Sequence, residues 1–272
     1  MTGLGFWSCV VLTFFLCFTS SVYVDQQTGM DYSAVDALFK LNKEYMSRST
    51  SFFWYNIFSC CIGKYLTMLM PIITAFPFIP NFCSERNSGL IRYTVSRTGK
   101  FRYCFSKFIT ALAGGGIAVL FGTLLFGVFC YIFFLKPEDY SALVAAGEIL
   151  PEEIRISAMS VKRIFLGRFL FGAVSVVPAF LLSAFIKNRY IITCIPFMAM
   201  YMYSTLIIKL SCDSKDKVEF MRKYFFLFSD SLLNYWNAGN RINLLAGFNL
   251  LLVSLSFLVF YLIFIHKTDV GQ

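Results

Sequence analysis

The chain of 272 residues is 58% hydrophobic and 14% charged, with a mean hydropathy of +0.68. Soluble domains carry about 25% charged residues, so this composition excludes an ordinary water-soluble fold and points to an integral membrane protein. A formal net charge of +9 would suit a nucleic-acid binder, but the basic residues gather beside apolar runs, which indicates membrane orientation and no nucleic acid.

Taken in chain order, six windows are long and apolar enough for membrane helices, each needing about 20 residues. The first covers residues 6–24. It has the apolar stretch and the small residues of a secretory signal, but no early Lys or Arg. It therefore reads as a retained span, with cleavage as the alternative. In "DYSAVDALFKLNKEYM", Val35, Leu38, Phe39, Tyr45 and Met46 recur at helical spacing after possible caps at Asp31 and Ser33. A short helix lying on the membrane or on the bundle is expected there.

The second window, 61–81, contains or ends on Pro71, Pro77 and Pro80, so kinks are expected in it. The third, 108–135, places Gly114, Ala118 and Gly122 four residues apart on one face, where small side chains allow close helix packing in lipid. The fourth, 164–186, and the fifth, 190–208 with Pro196 inside it, are joined by the turn "KNRY". The sixth covers 244–265. Between the fifth and sixth, the aromatic-rich residues 216–236 suit an interfacial or re-entrant helix. The expected fold is one all-α transmembrane domain over 1–272, with six helices.

Between spans two and three lies "ERNSGLIRYTVSRTGKFRYCFSK", residues 85–107, with six basic residues and one acid. Positive loops stay in the cytoplasm. That rule puts this segment inside, with Lys187 and Arg189 beside it and, for six spans, both termini inside as well. Residues 25–53 and 136–163 then face outward and are close to neutral. Residues 209–243, with six basic residues and four acids, go against the trend.

Chemical motifs are sparse. The single histidine, His266, falls at the end of the last span, away from partners for a triad or a metal site. Glu152 and Glu153 resemble the start of a glutamate-type intramembrane protease motif. Ser157 stands where that motif needs an arginine, which disfavours an intramembrane enzyme. "RTGKF" lacks the upstream Gly and the hydroxyl of a Walker loop, so no ATP site is expected in this chain. The nine cysteines show no CxxC or Cys/His spacing, and most behave as small hydrophobes in apolar runs. Lys64 and Arg168 are the only charges inside the windows. Both sit near expected outer edges, where long side chains snorkel to water.

The stretch "PIITAFPFIPNFCSERNSGLIRYTVSRTGKFRYCFSKFITAL" resembles the permease subunits of type-2 ATP-binding-cassette exporters. That family carries a cytoplasmic coupling segment between its second and third spans. Its features fall here on Glu85 and Arg86, Gly89, Ser96 and Arg97, Tyr103, and Lys107, with Tyr93 in the same short helix. The resemblance implies a multi-pass protein of a bacterial cell membrane, paired with a second permease copy or paralogue. It also implies a separate cytoplasmic ATPase subunit that holds the ATP and Mg. Glu85 would meet a base at the ATPase contact or cap the coupling helix, and the remaining basic residues would contact anionic membrane lipids. An apolar, aromatic lining favours an amphipathic or lipid-like cargo such as a peptide, an antibiotic or a lipid. The alternative is a non-transporting membrane scaffold or immunity subunit of the same shape.

Overall fold

A computed structural model describes residues 3–24, 30–42, 46–47, 49–61, 64–140, 158–186, 188–213 and 242–269. The described chain is mostly helical, as its composition requires. The loop acids Glu152 and Glu153, Lys187 and the aromatic segment 216–236 lie outside the described residues.

The first apolar run forms helix α1, Leu4–Cys17, of 14 residues. It is shorter than the window of 6–24. Its last turn is closed by hydroxyls: Thr19 Oγ1 donates to the Leu16 carbonyl at 2.7 Å, and Ser20 Oγ to the Cys17 carbonyl at 2.9 Å. These bonds satisfy carbonyls that a helix end leaves open. The β-branched "SVYV" that follows is extended instead, as strand β1, Ser21–Val24, antiparallel to β2, Asp31–Ser33. The all-α expectation is corrected by this small ladder.

Ser33 then caps helix α2, Ala34–Lys40, in a reciprocal capping box. The Asp36 amide donates to Ser33 Oγ at 3.2 Å, and Ser33 Oγ donates to Asp36 Oδ2 at 2.7 Å. Lys40 lies 2.6 Å from Asp36. Hydrogen bonds from Lys40 and Ser33 hold the Asp36 carboxyl down at about 2. The helix covers only the first part of the expected stretch: it ends at Lys40, before Met46, and Tyr45 lies outside the described residues. Its buried residues are Ala34 and Ala37, while Phe39 is 85% exposed.

A short 3-10 turn, Thr50–Phe52, leads into α3, Trp54–Cys60. This region closes one end of the bundle. The Trp54 amide donates to the Leu135 carbonyl at 3.2 Å, and Tyr140 Oη to the Ser49 carbonyl at 3.1 Å. Phe52, Phe53, Leu135 and Tyr140 are buried together there.

The second window is two helices, α4, Lys64–Ala75, and α5, Ile79–Asn87. The break falls at Phe76–Pro77–Phe78, where Pro77 has no amide to continue the ladder. Pro80 sits in the first turn of α5, a position that needs no donor. After the short α6, Leu90–Thr98, the chain runs through α7, Lys100–Phe133, whose 34 residues reach about 51 Å. Helix α8 is Ala158–Phe185, α9 is Arg189–Asp213 and α10 is Ile242–Asp269. Pro178, which the window reading passed over, lies inside α8. Among the described residues, Tyr65–Asn87, Lys100–Phe133 and Ile164–Phe185 are long and apolar enough to cross a membrane. Leu4–Cys17, Arg189–Met202 and Leu250–Phe264 are shorter apolar helices.

Helix α7 is the spine, packing along α8 on one side and α1 on another. The expected small-residue face is part of this packing, with Gly114, Ala118 and Gly122 all buried. Its closest helix contacts are shifted, however. A Cβ added to Gly114 would meet only Pro77, at 4.0 Å. One added to Gly122 would stand 2.7 Å from Thr13 Cβ on α1. One added to Gly172 on α8 would stand 2.8 Å from the Gly115 carbonyl oxygen. The α7–α8 crossing therefore closes on Gly115 and Gly172, a pair on different helices that spacing within one helix does not reveal.

At the other end, Phe180 of α8 gathers rings from three more helices. Its centroid lies 4.3 Å from Phe260, 5.1 Å from Phe108, 5.7 Å from Phe78 and 6.0 Å from Phe82. Aromatic contacts of this kind add to the area that each ring buries. Replacing Gly172 with Leu should separate α7 from α8 and cost about 1–3 kcal/mol, whereas Gly114→Ala should be neutral or slightly stabilising. Thermal unfolding of the two variants in detergent micelles checks the contrast.

Candidate functional site

Residues 85–107 fold as a helix–turn–helix–turn. Helix α5 ends at Asn87. Gly89, with φ of 74°, opens the nine-residue α6, and Gly99, with φ of 83°, separates α6 from α7. Both reversals use left-handed backbone that a side chain resists. The two glycines isolate α6 as a short knob at the end of the bundle.

The inner side of the knob is held by charge. Lys107 Nζ lies 2.7 Å from Glu85 Oε1 and 2.6 Å from Oε2, so one ammonium bridges both carboxylate oxygens. Tyr103 Oη donates to Glu85 Oε2 at 3.2 Å. Tyr103 and Lys107 are one turn apart on α7 and present adjacent donors to the same acid. The Lys107 ammonium also stands 5.6 Å from the Tyr103 ring centre. Glu85, which the resemblance set against a base at an ATPase contact or as a cap on the coupling helix, has its carboxylate engaged within this chain by Lys107 and Tyr103.

Arg86 turns the other way. Its guanidinium donates to the carbonyls of Ser183, Ile186 (3.2 Å) and Ala184 (3.4 Å). These are the open carbonyls at the C-terminus of α8, where the helix dipole places partial negative charge. Neighbouring residues thus fasten α5 to two different helices, Glu85 to α7 and Arg86 to α8.

The outer side is different. Ile91 is buried beneath the knob, but Tyr93 is 79% exposed and Leu90 55%. Arg92, Ser96, Arg97 and Arg102 are also exposed. Ser96 Oγ donates to the Tyr93 carbonyl at 2.9 Å, an arrangement local to the helix. Of the residues picked out by sequence, Glu85, Arg86, Tyr103 and Lys107 therefore converge on the anchoring side. Tyr93, Ser96 and Arg97 face outward, and Gly89 makes the turn between the two sets.

Sequence reasoning missed the Phe180 cluster and misplaced Arg168. That arginine is 1% exposed and does not snorkel. Because α8 begins at Ala158, Arg168 stands about 15 Å along the helix. The apolar residues on both sides of it, "FLGRFLFG", were the available signal. Among the described residues no group of three His, Cys, Asp or Glu side chains is placed to hold a metal ion. No protein-family model, curated protein or solved structure matches the chain.

A double-mutant cycle on Glu85→Gln and Lys107→Met tests the anchor. With side chains 36% and 25% exposed, the coupling should be about 1 kcal/mol, at the upper end for partly exposed pairs. Exchanging the charges, Glu85→Lys with Lys107→Glu, should recover part of the loss.

Proposed function

We propose that the chain is the membrane permease subunit of an ATP-driven exporter, with α6 as the contact for a separate cytoplasmic ATPase. The knob carries this reading. It is fastened inward to α7 and α8 by Glu85 and Arg86, and it presents Tyr93, Leu90 and several arginines outward. An exposed aromatic among basic side chains is the composition of a protein contact. A push on such a knob is delivered to two long helices at once.

In this reading the three long helices are joined by the shorter apolar helices α1, α9 and α10 to make six crossings. The basic end, with both termini, lies in the cytoplasm, and the hairpin end with α2 faces outward. Two permease copies or paralogues enclose the path in a bacterial cell membrane. ATP-driven closure of the paired ATPases displaces both knobs and shifts the bundle between two arrangements, a partner-driven switch. The apolar and aromatic lining suits an amphipathic or lipid-like cargo.

Affinity purification from native membranes under mild solubilisation tests the reading. A soluble ATPase should co-purify with the unaltered chain. Tyr93→Asp with Arg97→Glu should reduce its recovery at least about tenfold, or 1.4 kcal/mol, without lowering the thermal midpoint of the permease. Absence of any ATPase, or equal recovery with the double variant, contradicts the proposal and leaves a scaffold role.

A further inference from the structure

Helix α2 is fixed to the hairpin end of the bundle by backbone as well as by packing. The Ala34 amide donates to the Ser20 carbonyl at 3.3 Å. The Tyr23 ring on the adjoining strand lies 5.2 Å from that of Phe52. Residues three and four apart share a helix face, so the seven residues of α2 divide three ways. Ala34 and Ala37 are fully buried, with Leu38 packed beside them against the core. Asp36 and Lys40 make a polar second face, joined by their ion pair. Val35 and Phe39 make the third. They are 40% and 85% exposed, and Met30, just before β2, is 60% exposed. A helix held this firmly by its cap and its alanines turns a phenylalanine away from the core.

The same end carries the residues of a membrane boundary. The Trp54 and Tyr131 rings meet edge to face at 5.4 Å, and the Lys136 ammonium stands 4.9 Å over the half-exposed Tyr131 ring. Trp and Tyr collect where hydrocarbon meets headgroups, and a long Lys side chain reaches from there to water. Phe52, on which the hairpin rests, is two residues before Trp54. The hairpin and its helix are therefore joined to this belt.

We propose that the Val35–Phe39 face of α2, with Met30, lies in the headgroup–acyl boundary of the bilayer and anchors the hairpin to phospholipid. A second copy of the chain is the poorer occupant. A stable protein interface covers about 800 Å² on each partner, far more than three side chains on a two-turn helix supply. The charges of Asp36 and Lys40 cancel, so insertion is driven by apolar area and needs no acidic headgroup. This contact does not depend on the transport reading.

The test places tryptophan at two exposed positions, Phe39→Trp and Lys40→Trp, in the full chain in phosphatidylcholine nanodiscs. Emission is read as the difference from the unaltered chain, whose three tryptophans supply the background. Lipid brominated near the headgroup end of its acyl chains should quench the added Phe39→Trp emission at least about twofold, as shallow burial of an apolar helix face requires. Lipid brominated near the chain ends should quench it less. Lys40→Trp should be quenched by aqueous iodide and little by either lipid. Iodide quenching of both variants alike would overturn the proposal, as would strongest quenching from the chain ends. Protection of Phe39→Trp from lipid and iodide together would overturn it too, and would assign the face to a protein.

Discussion

Charged groups that a protein withdraws from water are costly unless it supplies their partners, and the basic end of this chain is organised around that constraint. Glu85 finds Lys107 and Tyr103, and Arg86 finds the last carbonyls of α8. Together these contacts fix where α5 ends and where α6 can stand. The remaining arginines of the segment, Arg92, Arg97 and Arg102, lie exposed on the outer side.

The same helices are locked again further along. Gly115 and Gly172 bring α7 and α8 close enough that a methyl group would not fit between them. Phe180 then ties α8 to α5, α7 and α10 through ring contacts. Such packing has few intermediate positions, because interiors are close to solid in density. In the proposed transport cycle, displacement of the knob would therefore move packed helices together. At the opposite end the hairpin, α3 and residues 134–140 form a capped region. There Arg168 meets the carbonyl and ring of Phe58, where the basic end uses carboxylate and helix terminus.

Hydropathy made the apolar helices legible, and the run of arginines marked the segment between them. The Ser33 cap was readable too, since Ser followed three residues later by an acid is a local signal. What failed was whatever depends on a second element. Which glycines touch is decided by the crossing of α7 with α8, so spacing favoured Gly114 when Gly115 makes the contact. The partners of Glu85 were not legible because Lys107 is distant in sequence, although one turn of α7 brings it and Tyr103 to the same carboxylate. The fourth window began at Ile164 as expected, but hydropathy does not show what covers Arg168, and Phe58 of α3 buries it. The end of α1 was hidden for a different reason: "SVYV" is as apolar as a helix and yet prefers to be extended.

The account depends most on which compartment the knob faces. A cysteine placed at the exposed position 96 can be challenged in intact cells with a bilayer-impermeant maleimide, and modification read on the peptide carrying that position. The account predicts no labelling until the cells are opened, and full labelling afterwards. Labelling in intact cells would put α6 on the outer face, beyond the reach of any cytoplasmic motor, and would contradict it.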